Sequence, residues 1–289
     1  MKLKPILLYI LFFTAAVIVF VFLLFPQKEL AAYLSRLLTD TDSNIQVTIE
    51  TVRPGFPFKL KFENSKLMFG RNIQIVPDSL DVLLDISSMF NKQKHIKIAS
   101  DLYQGSVKCS LRLNSIKPFL FSEPEFFISG VKISDFRYKT DLADITLTCD
   151  LSGEYKQIET ADKKDSGQGL IHIRNLSAKM KNSLFNTLNL PVIDFSDIEC
   201  EFTRQSKAVT LIQCRAKGPS INVKLKGNID IVFPVKESRL NLTGAILPDS
   251  PYLAKFVNTT AIKSKTKNIL KDGIKFYIKG ILKNPKIGI

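Results

Sequence analysis

The chain is poor in the residues that carry most enzyme chemistry. Among its 289 residues there are two histidines, four cysteines and no tryptophan. The histidines, His95 and His172, are distant in sequence, and the cysteines form no C-x-x-C pair, which excludes a zinc-ribbon or thioredoxin-like motif. The sequence also lacks the G-x-S-x-G, H-E-x-x-H, P-loop and G-x-G-x-x-G motifs. We therefore predict a protein that is not an enzyme, with no catalytic residue, no metal site and no cofactor.

The four cysteines, Cys109, Cys149, Cys200 and Cys214, each lie among alternating apolar residues. One interpretation makes them small side chains of an apolar core, and the other makes some of them part of a disulfide framework. In a compartment that oxidises thiols, Cys200 and Cys214 are the best candidate pair. A turn near Lys207 would place them opposite each other on two strands.

Charged residues are absent from residues 6–25, which are almost entirely apolar. As a helix this segment would be about 30 Å long, which is the thickness of the hydrocarbon core of a bilayer. Lys2 and Lys4 precede it. Because positive charge is retained on the cytoplasmic side, we expect residues 1–5 to form a cytoplasmic tail and residues 26–289 to lie across the membrane.

A cleaved signal peptide is the alternative for the same segment. Small residues suited to cleavage occur at Thr14, Ala15 and Ala16, but the apolar run continues from there to Phe25. A cleavage site normally ends the apolar run. We therefore predict an uncleaved transmembrane helix over residues 6–25.

Acidic residues are the scarcer charged class, because 27 Asp and Glu stand against 41 Lys and Arg, for a net charge of +14. A basic protein often binds nucleic acid, but the predicted anchor places the basic part of the chain outside the cytoplasm. We therefore expect no nucleic-acid partner and instead expect anionic lipid headgroups or acidic envelope polymers. The plainer alternative is that most of these basic side chains are simply solvated.

Leucines such as Leu30 and Leu34 recur at helical spacing in residues 27–38. The pattern predicts an amphipathic helix that either lies on lipid or closes one end of the folded domain. The second interpretation is favoured because the apolar stripe is broad and only Lys28 and Arg36 are basic.

From residue 45 onward, apolar residues alternate with polar ones in many short segments. A Gln104-Gly105 turn joins two of these segments as a hairpin. Consecutive strands without intervening helices predict an antiparallel sheet. The predicted fold is therefore mainly β: a transmembrane helix and an amphipathic helix, followed by a long, curved antiparallel sheet that forms an open groove or half-barrel.

Few segments beyond residue 45 depart from this pattern. Short helices are predicted in residues 115–120 and 183–190, and a longer basic helix in residues 252–270. Residues 161–169, ADKKDSGQG, are polar and contain two glycines. Their composition predicts a loop within one continuous β domain.

Each predicted strand has one apolar face, and the chain contains 21 Phe and 7 Tyr. Such a face belongs either to an ordinary filled core or to an open groove that holds acyl chains, and periodicity alone does not separate the two. The candidate groove-lining residues are Phe58, Leu60, Phe62, Ile145, Leu147, Ile221, Val223, Leu225, Ile274, Phe276 and Ile278.

The order of these elements resembles a known family. The apolar segment ends in Phe25-Pro26, PGFPFKL occupies residues 54–60, and a hairpin surrounds Gly105. The chain closes with F-x-I-x-G-x-L-x-N-P-x-I over residues 276–287. This order is similar to that of the type II secretion system protein N (GspN) family, and the closing pattern is shared with AsmA-like envelope proteins.

The resemblance implies a single-pass protein of the cell inner membrane, with a cytoplasmic N-terminus, a periplasmic β-rich domain and no catalytic residues to carry over. The first functional expectation is a non-catalytic component of type II protein secretion that contacts inner-membrane lipid and secretion-system proteins. The alternative is an AsmA-like protein that binds or transfers lipid in the cell envelope, with phospholipid in the groove.

Overall fold

A computed structural model describes most of the chain. The described residues are 3–41, 45–56, 58–69, 73–85, 88, 94–116, 119–139, 144–160, 163–181, 192–219, 221–232, 235–248 and 273–288. The helices predicted in residues 183–190 and 252–270 lie outside these ranges.

The chain begins with helix α1 (Leu3–Leu23), whose described side chains, such as Leu11 and Phe12, are exposed. Over the part of the chain that the structure describes, no helix combines the length and the hydropathy needed to cross a membrane. The transmembrane helix therefore stays a prediction.

Within the described ranges, seventeen strands follow the helices. They are β1 (Ile45–Thr48), β2 (Thr51–Gly55), β3 (Lys59–Glu63), β4 (Lys66–Phe69), β5 (Ile73–Ile75), β6 (Ser79–Leu84), β7 (Lys94–Leu102), β8 (Gly105–Ile116), β9 (Phe119–Lys139), β10 (Asp144–Thr160), β11 (Lys163–Lys181), β12 (Val192–Gln205), β13 (Ala208–Lys217), β14 (Ile221–Asp230), β15 (Arg239–Pro248), β16 (Ile274–Ile281) and β17 (Asn284–Gly288). A 3₁₀ turn, Val235–Glu237, lies between β14 and β15.

The strands form a sheet of 14 strands and a small sheet of three. The large sheet has the order β17-β16-β15-β14-β13-β12-β11-β10-β9-β8-β7-β6-β3-β2, and the small sheet has the order β1-β4-β5. The described strand pairs are antiparallel, as in β10 with β11 and β14 with β15. This confirms the prediction of a mainly β protein built on one long antiparallel sheet. By its internal contacts the chain divides into two compact units, residues 1–100 and residues 101–289.

The first unit has a small core beneath the second helix, α2 (Gln27–Thr41). Ala31 of this helix is buried together with Ile49 and Val52. Two hydroxyls of α2 also bind the adjacent backbone: Ser35 Oγ accepts the Ile49 N–H at 3.0 Å, and Thr39 Oγ1 accepts the Val47 N–H at 3.0 Å. The helix therefore packs on strands instead of lying free, as the broad apolar stripe predicts.

The second unit is a succession of hairpins. The first turn consists of Tyr103 and Gln104, with φ of +48° and +63°, so it lies one residue before the predicted Gln104-Gly105 turn. Bulges interrupt the strands at Gly130, Asp135 and Asn175, which also have positive φ. Gly, Asp and Asn reach this left-handed region at the lowest cost, which explains why the bulges occur at these residues.

Two local predictions in the second unit are wrong. The loop predicted over residues 161–169 is strand from Lys163 onward, paired with both β10 and β12; Gly167, for example, lies opposite Gln157 and Arg204. The helix predicted over residues 115–120 is strand at the residues of this segment that the structure describes, because β8 continues to Ile116 and β9 begins at Phe119. Around Gly167, hydrogen bonds from the two neighbouring strands β10 and β12 outweigh a local composition typical of loops. Ser115 and Ile116 instead pair with Leu120 and Phe119 across the β8–β9 hairpin.

Candidate functional site

The second unit has an apolar face and a polar face, because side chains alternate along each strand and the ladders keep like residues opposite. Leu225, for example, lies opposite Cys214 on one side and Gly244 on the other. We use the name apolar face for the side of β8–β17 that carries Leu225. Representative members are Cys109, Phe126, Val131, Leu151, Ile171, Ile198, Val223, Ile246 and Phe276.

A strip of aromatic rings crosses the apolar face. Tyr155 stacks on Phe202, with ring centroids 6.1 Å apart and planes 6° apart, and its centroid is 6.2 Å from that of Phe126. These rings lie over glycines: a Cβ added at Gly167 would meet the Tyr155 ring, and one added at Gly169 would meet the Phe202 ring. The rings therefore lie flat along the sheet instead of standing upright, and the face keeps a smooth aromatic surface.

The same arrangement recurs nearer the C-terminus. A Cβ added at Gly244 would lie 2.8 Å from Cε1 of Phe276, so this ring also covers a glycine on the neighbouring strand. A side chain at this position would collide with the Phe276 ring and with the Lys224 carbonyl oxygen, which would lie 2.5 Å from the added Cβ. Aromatic rings over strand glycines thus occur in two separate parts of the apolar face.

The side chains of the apolar face are mostly only partly buried. In the described part of the second unit, the apolar residues that are buried are Val131, Cys149, Ala178, Leu240 and Leu242. Most other members are half-buried, and Phe126 and Ile171 remain 42% and 37% exposed. Apart from the short 3₁₀ turn, every described element of this unit belongs to the one sheet, so no second layer covers the face within these residues.

Eight of the eleven candidate groove-lining residues lie together on this face. Val223 and Ile274 both pair with Ile246, and Leu225 and Phe276 both pair with Gly244. The remaining four are Ile145, Leu147, Ile221 and Ile278, which occupy the same phase of their strands. All eight are half-buried.

The other three candidates, Phe58, Leu60 and Phe62, belong to the first unit and are not an open lining. Leu60 and Phe62 pack against the core that Ala31 of helix α2 completes. Phe58 precedes strand β3, has a φ of +53° and is exposed in a turn. The prediction that these three residues line a groove is therefore wrong. Helix α2 covers Leu60 and Phe62, and Phe58 lies in a turn outside strand β3.

Periodicity did not single out Tyr155, Phe202 or the glycines beneath them. The signal in the sequence is that Gly169, on the apolar phase of β11, lies opposite Tyr155 and Phe202, with Gly167 two residues before it on the same face. The polar composition around these glycines instead suggested a loop.

The four cysteines also lie on the apolar face. Cys200 and Cys214 are directly opposite on β12 and β13 and are joined by a disulfide, with the intervening turn at Ser206 and Lys207. Cys109 and Cys149 are free thiols. Burial raises the pKa of Cys109 to about 11. Burial also raises the pKa of Cys149, and the negative charge of Asp150 raises it further. Both thiols are therefore protonated at neutral pH.

Polar clusters offer little chemistry in comparison. The Nε2 atom of His172 contacts Oδ1 of Asp197 across β11 and β12, with each side chain about one-third exposed. Within the described ranges, no group of three or more His, Cys, Asp and Glu side chains could hold a metal ion.

The fold and this face define a class: an antiparallel β protein whose large sheet presents one continuous, half-exposed apolar surface. No family model matches the chain, and neither a curated protein nor a solved structure matches it. The function of this chain is therefore inferred from its own geometry.

Proposed function

We propose that this protein is a membrane-anchored lipid-binding or lipid-transfer protein, whose apolar face in the second unit holds acyl chains. The observation that supports the proposal is the half-exposed apolar face, which has no packed layer over it among the described residues. Contiguous apolar surface of this kind is uncommon on soluble monomers unless something binds there. An acyl chain needs no polar partner, and the Phe126, Tyr155 and Phe202 rings of the aromatic strip offer it apolar contact.

The hydrophobic effect provides enough affinity for such a ligand. Each methylene removed from water contributes about 0.8 kcal/mol. Ten methylenes would contribute about 8 kcal/mol before the cost of ordering the chain, which corresponds to a dissociation constant of about 1 μM or weaker. Affinity in this range allows both loading and release, as transfer requires.

The sequence supports a membrane location for this function. Residues 6–25 are uncharged, and the described side chains of α1 are exposed rather than packed on protein. An inner-membrane anchor with the β units in the periplasm would hold the apolar face beside a lipid source. The resemblance to AsmA-like envelope proteins points in the same direction.

Two neighbouring phenylalanines provide a direct test. Phe126 and Phe127 are 42% and 48% exposed, but Phe126 lies on the apolar face opposite Tyr155, whereas Phe127 lies on the polar face opposite Glu154. The photo-crosslinking analogue p-benzoyl-phenylalanine would replace each in turn in the full-length chain, followed by irradiation in cells and mass spectrometry. We expect phospholipid adducts at position 126 and none at position 127.

Lipid adducts of equal yield at both positions would show unspecific contact and reject the proposal, as would their absence at position 126.

A second experiment uses a charge in place of an apolar side chain. Val223→Asp on the apolar face should reduce the transfer of fluorescent phospholipid between vesicles, whereas Asn228→Asp on the polar face of the same strand should not. Circular dichroism would verify that both variants keep their strand content.

A non-catalytic role in type II protein secretion is the other proposal that the sequence raises. Among the residues that the structure describes, no contact or charge favours it over lipid binding. Co-purification of secretion-system proteins with the full-length chain, together with a secretion defect in a deletion strain, would support it.

A further inference from the structure

The polar face of the second unit contains a concavity of about 600 Å³ on strands β13–β16. Its lining mixes apolar and cationic side chains in a region where the strand pattern predicts only solvated residues. The lining residues that matter here are Ile212, Lys224, Lys226, Thr243, Lys275 and Tyr277.

The sheet register brings these side chains together. Lys226 lies opposite Thr243, which lies opposite Tyr277 on the next strand, and this row crosses β14, β15 and β16. The adjacent row contains Lys224 and Lys275, which both pair with Ala245. Because the side chains of Ala245 and Thr243 on β15 are small, the surface is recessed between strands β14 and β16.

Two apolar groups complete the concavity. The register shift between β13 and its neighbours makes Ile212 part of a bulge, and Ile212 is 48% exposed. Tyr277 is 43% exposed, and its ring lies over Gly288 of the edge strand. The ammonium group of Lys279 is 5.4 Å from the ring centroid, so the ring is held between a glycine and a cation.

Among the described residues, the three lysines that line the concavity have no counterion of their own. In the described part of the chain, Lys224, Lys226 and Lys275 form no ion pair, and all three are exposed. Lys224 and Lys226 are two residues apart on one strand, so their Cα atoms are about 6.6 Å apart and their charges repel. The acidic residues Glu199 and Glu201 lie on the far side of β13, opposite Arg215 and Gln213.

We propose that this concavity binds a phosphate-bearing amphiphile, with the phosphate held by Lys224, Lys226 and Lys275 and the adjoining apolar part against Ile212 and Tyr277. A phosphate accepts charge-assisted hydrogen bonds from several ammonium groups at once and removes their mutual repulsion. The exposed Ile212 and Tyr277 side chains select a ligand with an apolar portion over a free anion. The site is on the opposite side of the sheet from the apolar face and does not depend on the proposed transfer function.

The test uses the full-length chain in nanodiscs of phosphatidylcholine, with empty nanodiscs as the blank. Isothermal titration calorimetry would measure the binding of dihexanoyl phosphatidic acid, dihexanoyl phosphatidylcholine and inorganic phosphate. We expect phosphatidic acid to bind most tightly. The triple variant Lys224→Gln, Lys226→Gln, Lys275→Gln should weaken this binding on the order of 10- to 100-fold.

A matched control removes the same charge elsewhere in the second unit. Lys108, Lys132 and Lys179 are exposed on strands β8, β9 and β11, and their replacement by glutamine should change the affinity less than about 2-fold. Ile212→Ser should weaken phosphatidic acid binding and leave phosphate binding unchanged. Circular dichroism of each variant would verify the fold.

Three outcomes would overturn the proposal. Equal losses in the two triple variants would show that only net charge matters. Equal affinity for inorganic phosphate and phosphatidic acid would remove the role of Ile212 and Tyr277. Equal affinity for phosphatidylcholine, or no binding of phosphatidic acid, would remove the role of the lysines. None of these results bears on photo-crosslinking at Phe126, so the two proposals fail separately.

Discussion

The contact between Gly167 and Tyr155 predicts that the effect of Gly167→Ala on stability depends on the tyrosine. The substitution should destabilise the protein when Tyr155 is present and stabilise it when Tyr155 is replaced by alanine. Gly167 lies within strand β11 and has no left-handed φ, so alanine fits its backbone. A Cβ at this position would lie 2.6 Å from Cζ and 2.8 Å from Cε2 of Tyr155, and its three closest contacts are all with that side chain. Gly167→Ala must therefore displace the tyrosine ring.

The magnitude follows from what Tyr155 would lose. Its ring contacts Phe202 on one side and Phe126 on the other, and each aromatic contact contributes about 0.5–1.5 kcal/mol. Replacing a strand glycine by alanine gains about 0.5–1 kcal/mol where no clash occurs. The net expectation is a destabilisation of about 1 kcal/mol for Gly167→Ala in the wild-type background. In a Tyr155→Ala background, the same substitution should stabilise the protein by about 0.5–1 kcal/mol.

The assay is thermal and urea unfolding of the full-length chain followed by circular dichroism. A change of 1 kcal/mol corresponds to about 2–4 °C in Tm for a unit of this size. Gly169→Ala serves as a contrast, because its added Cβ would also lie 2.9 Å from the Glu154 carbonyl oxygen, a backbone atom. Replacing Phe202 should therefore relieve Gly169→Ala only in part. If Gly167→Ala is equally destabilising with and without Tyr155, the description of rings lying over glycines is wrong.

Three further predictions concern the cysteines and the first core. Cys109, whose pKa burial raises to about 11, should react with iodoacetamide at a rate that keeps rising tenfold per pH unit beyond pH 9; a plateau near pH 9, measured by mass spectrometry, would contradict this. Replacing Cys200 and Cys214 by alanine opens a crosslink between residues 14 apart and should cost about 3 kcal/mol; a reductant should lower the Tm of the wild type but not of the variant. Val52→Ala, at a fully buried position, should cost about 2 kcal/mol, whereas Val235→Ala, at a half-exposed one, should stay within about 0.5 kcal/mol; equal losses in urea unfolding would exclude a core at Val52.

Much of the fold follows from local sequence because alternation with a period of two is a property of neighbouring residues. The strands around Cys109 and Cys149 are recognisable in this way, and so is the antiparallel order, since no helices intervene. The opposite positions of Cys200 and Cys214 follow from the short turn between their strands. Eight of the eleven residues proposed to line a groove share one face for the same reason.

The remaining features depend on which elements pack together, and local composition does not contain that information. Leu60 and Phe62 have the same alternation as the open strands, yet helix α2 covers them. The polar segment around Gly167 is strand because β10 and β12 both bind its backbone and because Tyr155 and Phe202 occupy the space above its glycines. The lysine-lined concavity likewise requires a register that places Lys224 and Lys275 on either side of Ala245.

The sequence by itself thus determined the β class, the direction of the strands and the division into an apolar and a polar phase, because these depend on residues a few positions apart. Only the tertiary structure decided which part of the apolar phase is buried and which is open. That outcome is set by contacts between residues distant in sequence, such as Ala31 with Val52 in the first unit and Tyr155 with Phe202 in the second.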